Sequence, residues 1–280
     1  IQLTLKDWEP RPGSTGWDYE PKTITLENDG SSNAYTFNAT NQITQMVLKY
    51  KDTDDKVYQY IGAGSWDGTS NKIDFVTLPE DLTAGTLTAD LYTDAGLLVD
   101  GVSINPTTTS LQVIDLGQYG MKKNGDILEI STPLQFTLML NDPGKPDNQK
   151  YSITKTIDMG GVNMAVTPNN FPLGSVLDGG GNEILNLEVD GNGLFNQNSG
   201  TLKNFRPTAG QLYAGGIAGS NNSGTIVASV NSGNILGGTR VGGIVGQNLN
   251  TDEGAITACL NVGQLYKGAE HLGGLIGYSD

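Results

Sequence analysis

From Asp178 to Gly277 the apolar residues come as two- and three-residue clusters set between glycines. They follow neither the 3.6 period of a helix nor the long alternation of a flat sheet. Three glycine boxes mark the stretch: Gly215-Gly216-Ile217-Ala218-Gly219, Gly242-Gly243-Ile244-Val245-Gly246 and Gly273-Gly274-Leu275-Ile276-Gly277. They start 27 and 31 residues apart (215 to 242, 242 to 273). A second line interleaves with them: Gly200-Thr201-Leu202, Gly224-Thr225-Ile226 and Gly254-Ala255-Ile256, each followed by a Gly-Gln/Asn-aliphatic step at Gly210, Gly233 and Gly263. Clusters this short cannot bury themselves alone, so the pattern predicts coils of chain stacked into a solenoid with apolar ladders inside. The glycines allow corners with positive φ and close backbone approach. Two inward registers fit. In one, a corner or bulge lets residue i and residue i+3 both point inward, pairing the rung aliphatics with Leu187, Phe205, Ser229 and Cys259. In the other, plain alternation turns Ile226, Ala228 and Val230 inward.

The Gly-Gly-Ile-Val-Gly box followed by a Gly-aliphatic-x-x-Cys rung resembles the GLUG repeat of bacterial surface proteins. The lead-in is similar to that family's as well, from Tyr151 to Met159 and from Phe171 through Asp178-Gly179-Gly180 to Leu187. Thr156 stands where the family usually has the first Asp of Asp-Ile-Asp-Met, so no role for that Asp carries over. The likeness covers roughly Asp126 to Asp280 and implies a β-helix with a short helix over its open end. A bare solenoid end exposes both core and strand edges, so such a cap is expected on physical grounds too. The closing repeat leaves the last rung either bare or continued in a longer chain.

Upstream, short strand candidates follow one another at Lys22–Leu26, Ala34–Asn38, Ile43–Tyr50, Lys56–Ile61, Lys72–Val76, Thr86–Thr93, Leu97–Val99 and Leu111–Asp115, with turn residues between them. Residues 1–120 therefore read as a β-sandwich and residues 121–280 as the β-helix, divided near Gly117–Gly125. The sandwich is similar to the immunoglobulin- or transthyretin-like domains of fimbrillin-type proteins, an impression that the opening Leu3-x-Leu5-x-x-Trp8 reinforces. Ile1-Gln2-Leu3-Thr4-Leu5 is a strand that either pairs within its own domain or, as the resemblance allows, is exchanged between subunits. Asp126–Ser131 is a further strand. Thr132 as N-cap and Pro133 in the first turn predict a capping helix over 132–141.

Composition narrows the function classes. Of 280 residues, 36% are hydrophobic and only 16% charged, so polarity comes from Gly, Asn, Ser and Thr, as in turn-rich β proteins. The net charge of −14 disfavours a nucleic-acid partner, which calls for a basic surface. No apolar run approaches the ~18 residues of a spanning helix. The chain begins at Ile1 without Met or a signal peptide, as expected where a targeting segment has been removed or where the sequence is a piece cut from a longer one.

Candidate chemistry is sparse. His271 and Cys259 are the sole His and Cys, which leaves no zinc set of the usual kind and no disulfide. Cys259 occupies a rung position and reads as a buried, inert thiol. Asp158, Asp178, Glu183, Glu188 and Asp190 are the carboxylates from which a β-helix glycosidase or lyase would draw its pair, although Asp178-Gly179-Gly180 has the form of a structural turn. Asp52-Thr53-Asp54-Asp55 lacks the Gly and distal Glu of a calcium loop and reads as a hairpin tip. Trp17, Tyr19 and Trp66 lie in Gly-rich loops, where rings beside polar groups stack on sugars or anchor proteins, or else pin loops to a core. The resulting expectation is an all-β, non-catalytic, cofactor-free cell-adhesion protein, outer-membrane-anchored or fimbria-associated. It would bind a glycan or protein ligand, with Trp17, Tyr19 and Trp66 as contacts, and the resemblance also allows other fimbrial subunits as partners. A polysaccharide-degrading enzyme and a structural spacer are the alternatives.

Overall fold

A computed structural model describes residues 22–26, 43–66, 71–75, 84–106, 111–113, 118–189, 192–207, 211–212, 214–252, 255–266 and 268–279. The strand candidates at Ile1–Leu5 and Ala34–Asn38 lie outside these residues, as do Trp17 and Tyr19.

The N-terminal part is an antiparallel sheet of seven strands: β1 (Lys22–Leu26), β2 (Gln45–Lys51), β3 (Val57–Trp66), β4 (Asn71–Phe75), β5 (Thr86–Thr93), β6 (Gly96–Pro106) and β7 (Leu111–Val113). Their order is β1-β4-β3-β2-β5-β6-β7. The edge strands β1 and β7 approach one another, so the sheet curls back around its apolar face. Met46, Leu48, Ile73, Phe75, Leu87, Ala89, Leu91, Val102 and Ile104 fill that face. The β2–β3 connection is the expected hairpin tip, with the Asp52 carboxylate accepting from the Asp54 and Lys56 amides.

The downstream part is a parallel β-solenoid. On its first face, Tyr151, Leu177, Leu202, Ile226 and Ile256 stand in register, so successive coils take 26, 25, 24 and 30 residues. A second face runs through Ile157, Ile184 and Pro207. A third runs through Phe195, Ala218, Val245 and Ile276. The solenoid therefore has three faces and about five coils.

Between the two parts lies the single helix of the described residues, α1 (Pro133–Asn141), with the expected N-cap. Thr132 Oγ1 accepts from the Gln135 amide, and Gln135 Oε1 accepts in return from the Thr132 amide, which closes a capping box. Every residue from Leu134 to Leu140 is buried, so α1 is enclosed rather than laid across an open end. Thr132 Oγ1 donates to Leu98 O of β6 and Gln135 Nε2 to Gly120 O. At its far end the Asn141 side chain donates to Ala165 O and accepts from the Thr167 amide of the first solenoid coil. One apolar core runs unbroken from the sheet past the helix into the coils. No helix among the described residues is long and apolar enough to cross a membrane.

The corner register prevails over plain alternation. Asn204, Ala228 and Ala258 have φ of 56°, 50° and 53° and form the corner between the first and second faces. One left-handed residue there turns residue i+3 inward beside residue i, so Leu202 and Phe205, and Ile226 and Ser229, are fully buried while Ala228 is exposed. Ile184 and Leu187 make the same step around Asn186 (φ 53°), but on the second face, one corner further along.

Of the two expected reasons for glycine, close backbone approach applies at the boxes and positive φ does not. None of the nine has positive φ. A Cβ on Gly215, Gly242 or Gly273 would collide with the carbonyl of the fourth box residue, because the chain doubles back there. A Cβ on Gly216 would strike Gly243 O of the next coil, and one on Gly243 would strike Gly274 O.

The ladder follows expectation except at its last coil. Ile217, Ile226 and Ile244 are 0% exposed, Ile256 is half-buried and Leu275 is 39% exposed. Ile256 stacks on Ile226, and Ile244 donates its amide to Leu275 O, so both outliers hold their ladder places but have no described coil over them.

Candidate functional site

Each box doubles the chain so sharply that the strand before it lies over the strand after it. Gly238–Gly242 lies against Val245–Asn248, and Gly268–Gly273 against Ile276–Ser279. The closeness is visible at Gly246, where a Cβ would come within 2.9 Å of Arg240 O in its own outer strand, and at Gly277, where one would come within 2.6 Å of the Val241 amide nitrogen in the outer strand of the preceding coil. Glycine at these places lets the outer strand carry side chains beside those of the inner one.

Four side chains meet as a result. Arg240 pairs in register with His271 on the outer strands, and Gln247 with Tyr278 on the inner ones. Val241 takes the alternate, buried place and Leu272, 57% exposed in the last coil, stands in register with it, which leaves Arg240 and His271 on the flank. The Arg240 guanidinium carbon lies 4.5 Å from the centre of the Tyr278 ring, and Nη1 donates to Gln247 Oε1. Arg240 Nε is buried and unpaired. His271 is exposed and meets the Tyr278 ring edge-on at 5.0 Å, with 66° between the planes. Beyond Gln247 the column continues through Ser220 to Gln197, one outward polar residue per coil, and Asn222 links the last two. The result is a cation over an aromatic ring, with an imidazole beside that ring and a row of amides and hydroxyls leading away.

A second feature beneath this surface was also missed by sequence reasoning. Asn198, Asn221 and Asn248 are buried and stacked: Asn198 Nδ2 donates to Asn221 Oδ1 at 2.9 Å, and Asn221 Nδ2 to Asn248 Oδ1 at 3.0 Å. Asn231 Nδ2 and Asn261 Oδ1 repeat the arrangement on the second face. Both the flank residues and this ladder have a signal in the sequence. Arg240 and His271 lie two places before their boxes, Gln247 and Tyr278 one place after, and Asn221 and Asn248 two places after.

The carboxylate candidates do not converge as a catalytic pair. Asp178 accepts from the Gly180 amide, Asn204 Nδ2 and Lys203 Nζ. Burial alone raises its carboxyl, but these partners outweigh it and hold the group below the usual range. Asp158 is held low by Asn186 Nδ2 and the Gly160 amide. Glu183 faces Arg206 at 4.0 Å, and Glu188 borders an open groove of about 360 Å³ together with Met159 and Met164; Asp190 lies outside the described residues. Asp158 and Asp178 thus hold turns and tie neighbouring coils. Burial pushes the Cys259 thiol up, and it donates to Thr257 O, so it is a packed thiol rather than a nucleophile beside His271. Trp66 closes β3, but its side chain, like Trp17 and Tyr19, lies outside the described residues.

A buried polar cluster lies where α1 ends. Tyr119 Oη donates to Asp142 Oδ2, and Lys145 Nζ donates to the Leu140 and Asp142 carbonyls, capping the helix. Burial drives the Lys145 ammonium down to about 8, and burial first of all lifts both the Tyr119 and Tyr151 phenols above their ordinary value. The lysine's role here is structural. Compared with models of known families, with curated proteins and with solved structures, the chain matches none.

Proposed function

We propose that this protein is a non-catalytic adhesion protein of a bacterial surface, of the GLUG-repeat type with a fimbrillin-like N-terminal domain, and that it grips its ligand with the solenoid flank. The observation that carries the reading is the square of Arg240, His271, Gln247 and Tyr278, fixed on stacked strands. Side chains held on such a framework lose little freedom on binding, which suits recognition of a partner. Two of the carboxylates that a glycosidase or lyase would employ, Asp158 and Asp178, are instead engaged in turns and inter-coil ties. A glycan array probed with the intact protein, together with adhesion to cell surfaces, tests the reading. Binding that drops in a Tyr278→Ala variant supports it. Binding unaffected by that change, or turnover of a polysaccharide abolished by Asp178→Asn, overturns it.

A further inference from the structure

We infer that the flank square is a receptor for the carboxylate of an acidic glycan chain. This rests on the adhesion reading and names the ligand class for the same site.

The chain carries a net −14, so its overall field repels anions and any anion it binds must be held by local contacts. At the square, two basic side chains from successive coils, Arg240 and His271, stand side by side. Glu270, next to His271 in sequence, is exposed at the irregularity in register between the Gly238–Gly268 and Arg240–His271 pairs. The guanidinium is set in place before any ligand arrives, since Tyr278 supports its face and Gln247 Oε1 fixes Nη1. No hydrogen bond to another described residue occupies Nη2, and the buried Nε lacks a partner. An arginine held over the ring with Nη1 fixed presents Nη2 to a carboxylate, and the planar fork sets the direction of that donor. His271 supplies an imidazole beside the same spot.

The outward column decides for a polymer over a small anion. Gln197, Ser220, Gln247 and Tyr278 follow one another coil by coil, at the ~4.8 Å spacing of paired strands. A chain of hydroxyl-bearing units laid along the solenoid axis meets a fresh amide or hydroxyl at each coil, while its carboxylate rests against Arg240. Ser220 and Asn222 already form one hydrogen-bonded polar ledge there.

The test uses the full chain and three immobilised polymers: polygalacturonate, dextran sulfate and neutral dextran. The expected result is binding to polygalacturonate that weakens with added salt and exceeds binding to both others at least tenfold. Arg240→Ala is expected to lower it tenfold or more. Arg240→Lys should lower it nearly as much, because a lysine keeps the charge but not the fork. Gln247→Glu gives Arg240 an internal carboxylate partner and should abolish binding without disturbing the fold, which guards against a variant that merely unfolds. Equal or stronger binding to dextran sulfate overturns the carboxylate assignment, as does wild-type affinity in both Arg240 variants. Binding to neutral dextran that Tyr278→Ala abolishes overturns the acidic class while the adhesion reading stands. No flank-dependent binding to any polymer or cell surface removes both.

Discussion

Replacing Asn221 by alanine probes the solenoid's interior most directly. Asn221 is 0% exposed, and its carboxamide makes three hydrogen bonds: it accepts from Asn198 Nδ2 and donates to Asn248 Oδ1 and Gly224 O. Gly224 O keeps a second donor, Asn250 Nδ2. The substitution therefore orphans two groups, an N–H on Asn198 and the Oδ1 of Asn248, both in buried side chains that water does not reach. At about 1–3 kcal/mol for each orphaned buried group, the loss is about 2–6 kcal/mol. Asn222 is the control: it is half-buried, it bonds to Gln197 and Ser220 on the flank, and water can replace those bonds. Its replacement by alanine should stay within about 0.5 kcal/mol. Urea unfolding of the two variants, followed by far-UV circular dichroism, measures the difference as a lower midpoint. A double-mutant cycle with Asn198→Ala should return a coupling of about 0.5–3 kcal/mol. If Asn221→Ala unfolds at the same urea concentration as Asn222→Ala, the ladder does not support the fold and the argument fails.

Three other perturbations have definite outcomes. Ile244→Asp sets an unpaired charge in the core and should cost roughly 4 kcal/mol or more, whereas Leu275→Asp, at the same ladder position but 39% exposed, should cost under about 1 kcal/mol; thermal unfolding compares them. Gly243→Ala meets Gly274 O and the Asn261 side chain and should cost about 1–3 kcal/mol, while Gly274→Ala, with nothing within 4 Å, should be close to neutral by the same measurement. Lys145 binds its proton less readily in the fold (about 8) than when unfolded (10.5), so its contribution to stability is lost as pH falls through 8 and grows between pH 8 and 10.5, by up to about 3 kcal/mol. Tyr119 and Tyr151 have the opposite sign: their phenols are raised above 10.0, so their contribution is present below pH 10 and lost above it. Stability should therefore peak near pH 10, and Lys145→Met should remove the rise from pH 8 without touching the later fall.

The solenoid and its helix were legible because they rest on local rules. Glycine spacing, rung aliphatics and a Thr132-Pro133 start each act within a few residues, and each reappears in place. The corner at Asn204, Ala228 and Ala258 was legible as one of two registers, and alanine at a left-handed corner is why it could not be read outright: alanine carries no turn signal. The conformation of the box glycines was not legible because close approach and positive φ demand the same residue. The flank square stayed hidden because its members lie 7 or 31 residues apart, as Arg240 does from Gln247 and His271, and they become neighbours only after the chain has doubled back and the next coil has stacked. The Asn198–Asn221–Asn248 ladder was obscured by composition, since in a chain whose polarity comes largely from such residues a buried asparagine looks like a turn.

The doubled-back boxes also divide the labour among positions in a way that bears on how such a chain changes over time. Within a box, the first glycine is fixed by its own turn, and the second at Gly216 and Gly243 by the next coil. The positions two before and one after the box face outward and have no such duty: Arg240 and His271 share one, Gln247 and Tyr278 the other, with different side chains within each pair. Each of the last two coils thus offers two interchangeable seats on a fixed frame. Drift at those seats rewrites the ligand without passing through a misfolded intermediate, and duplicating a coil lengthens the grip by two seats at once. Variation among descendants of this chain should accordingly concentrate in vertical columns along one edge of the solenoid, leaving the glycines and the inward aliphatics between them unchanged.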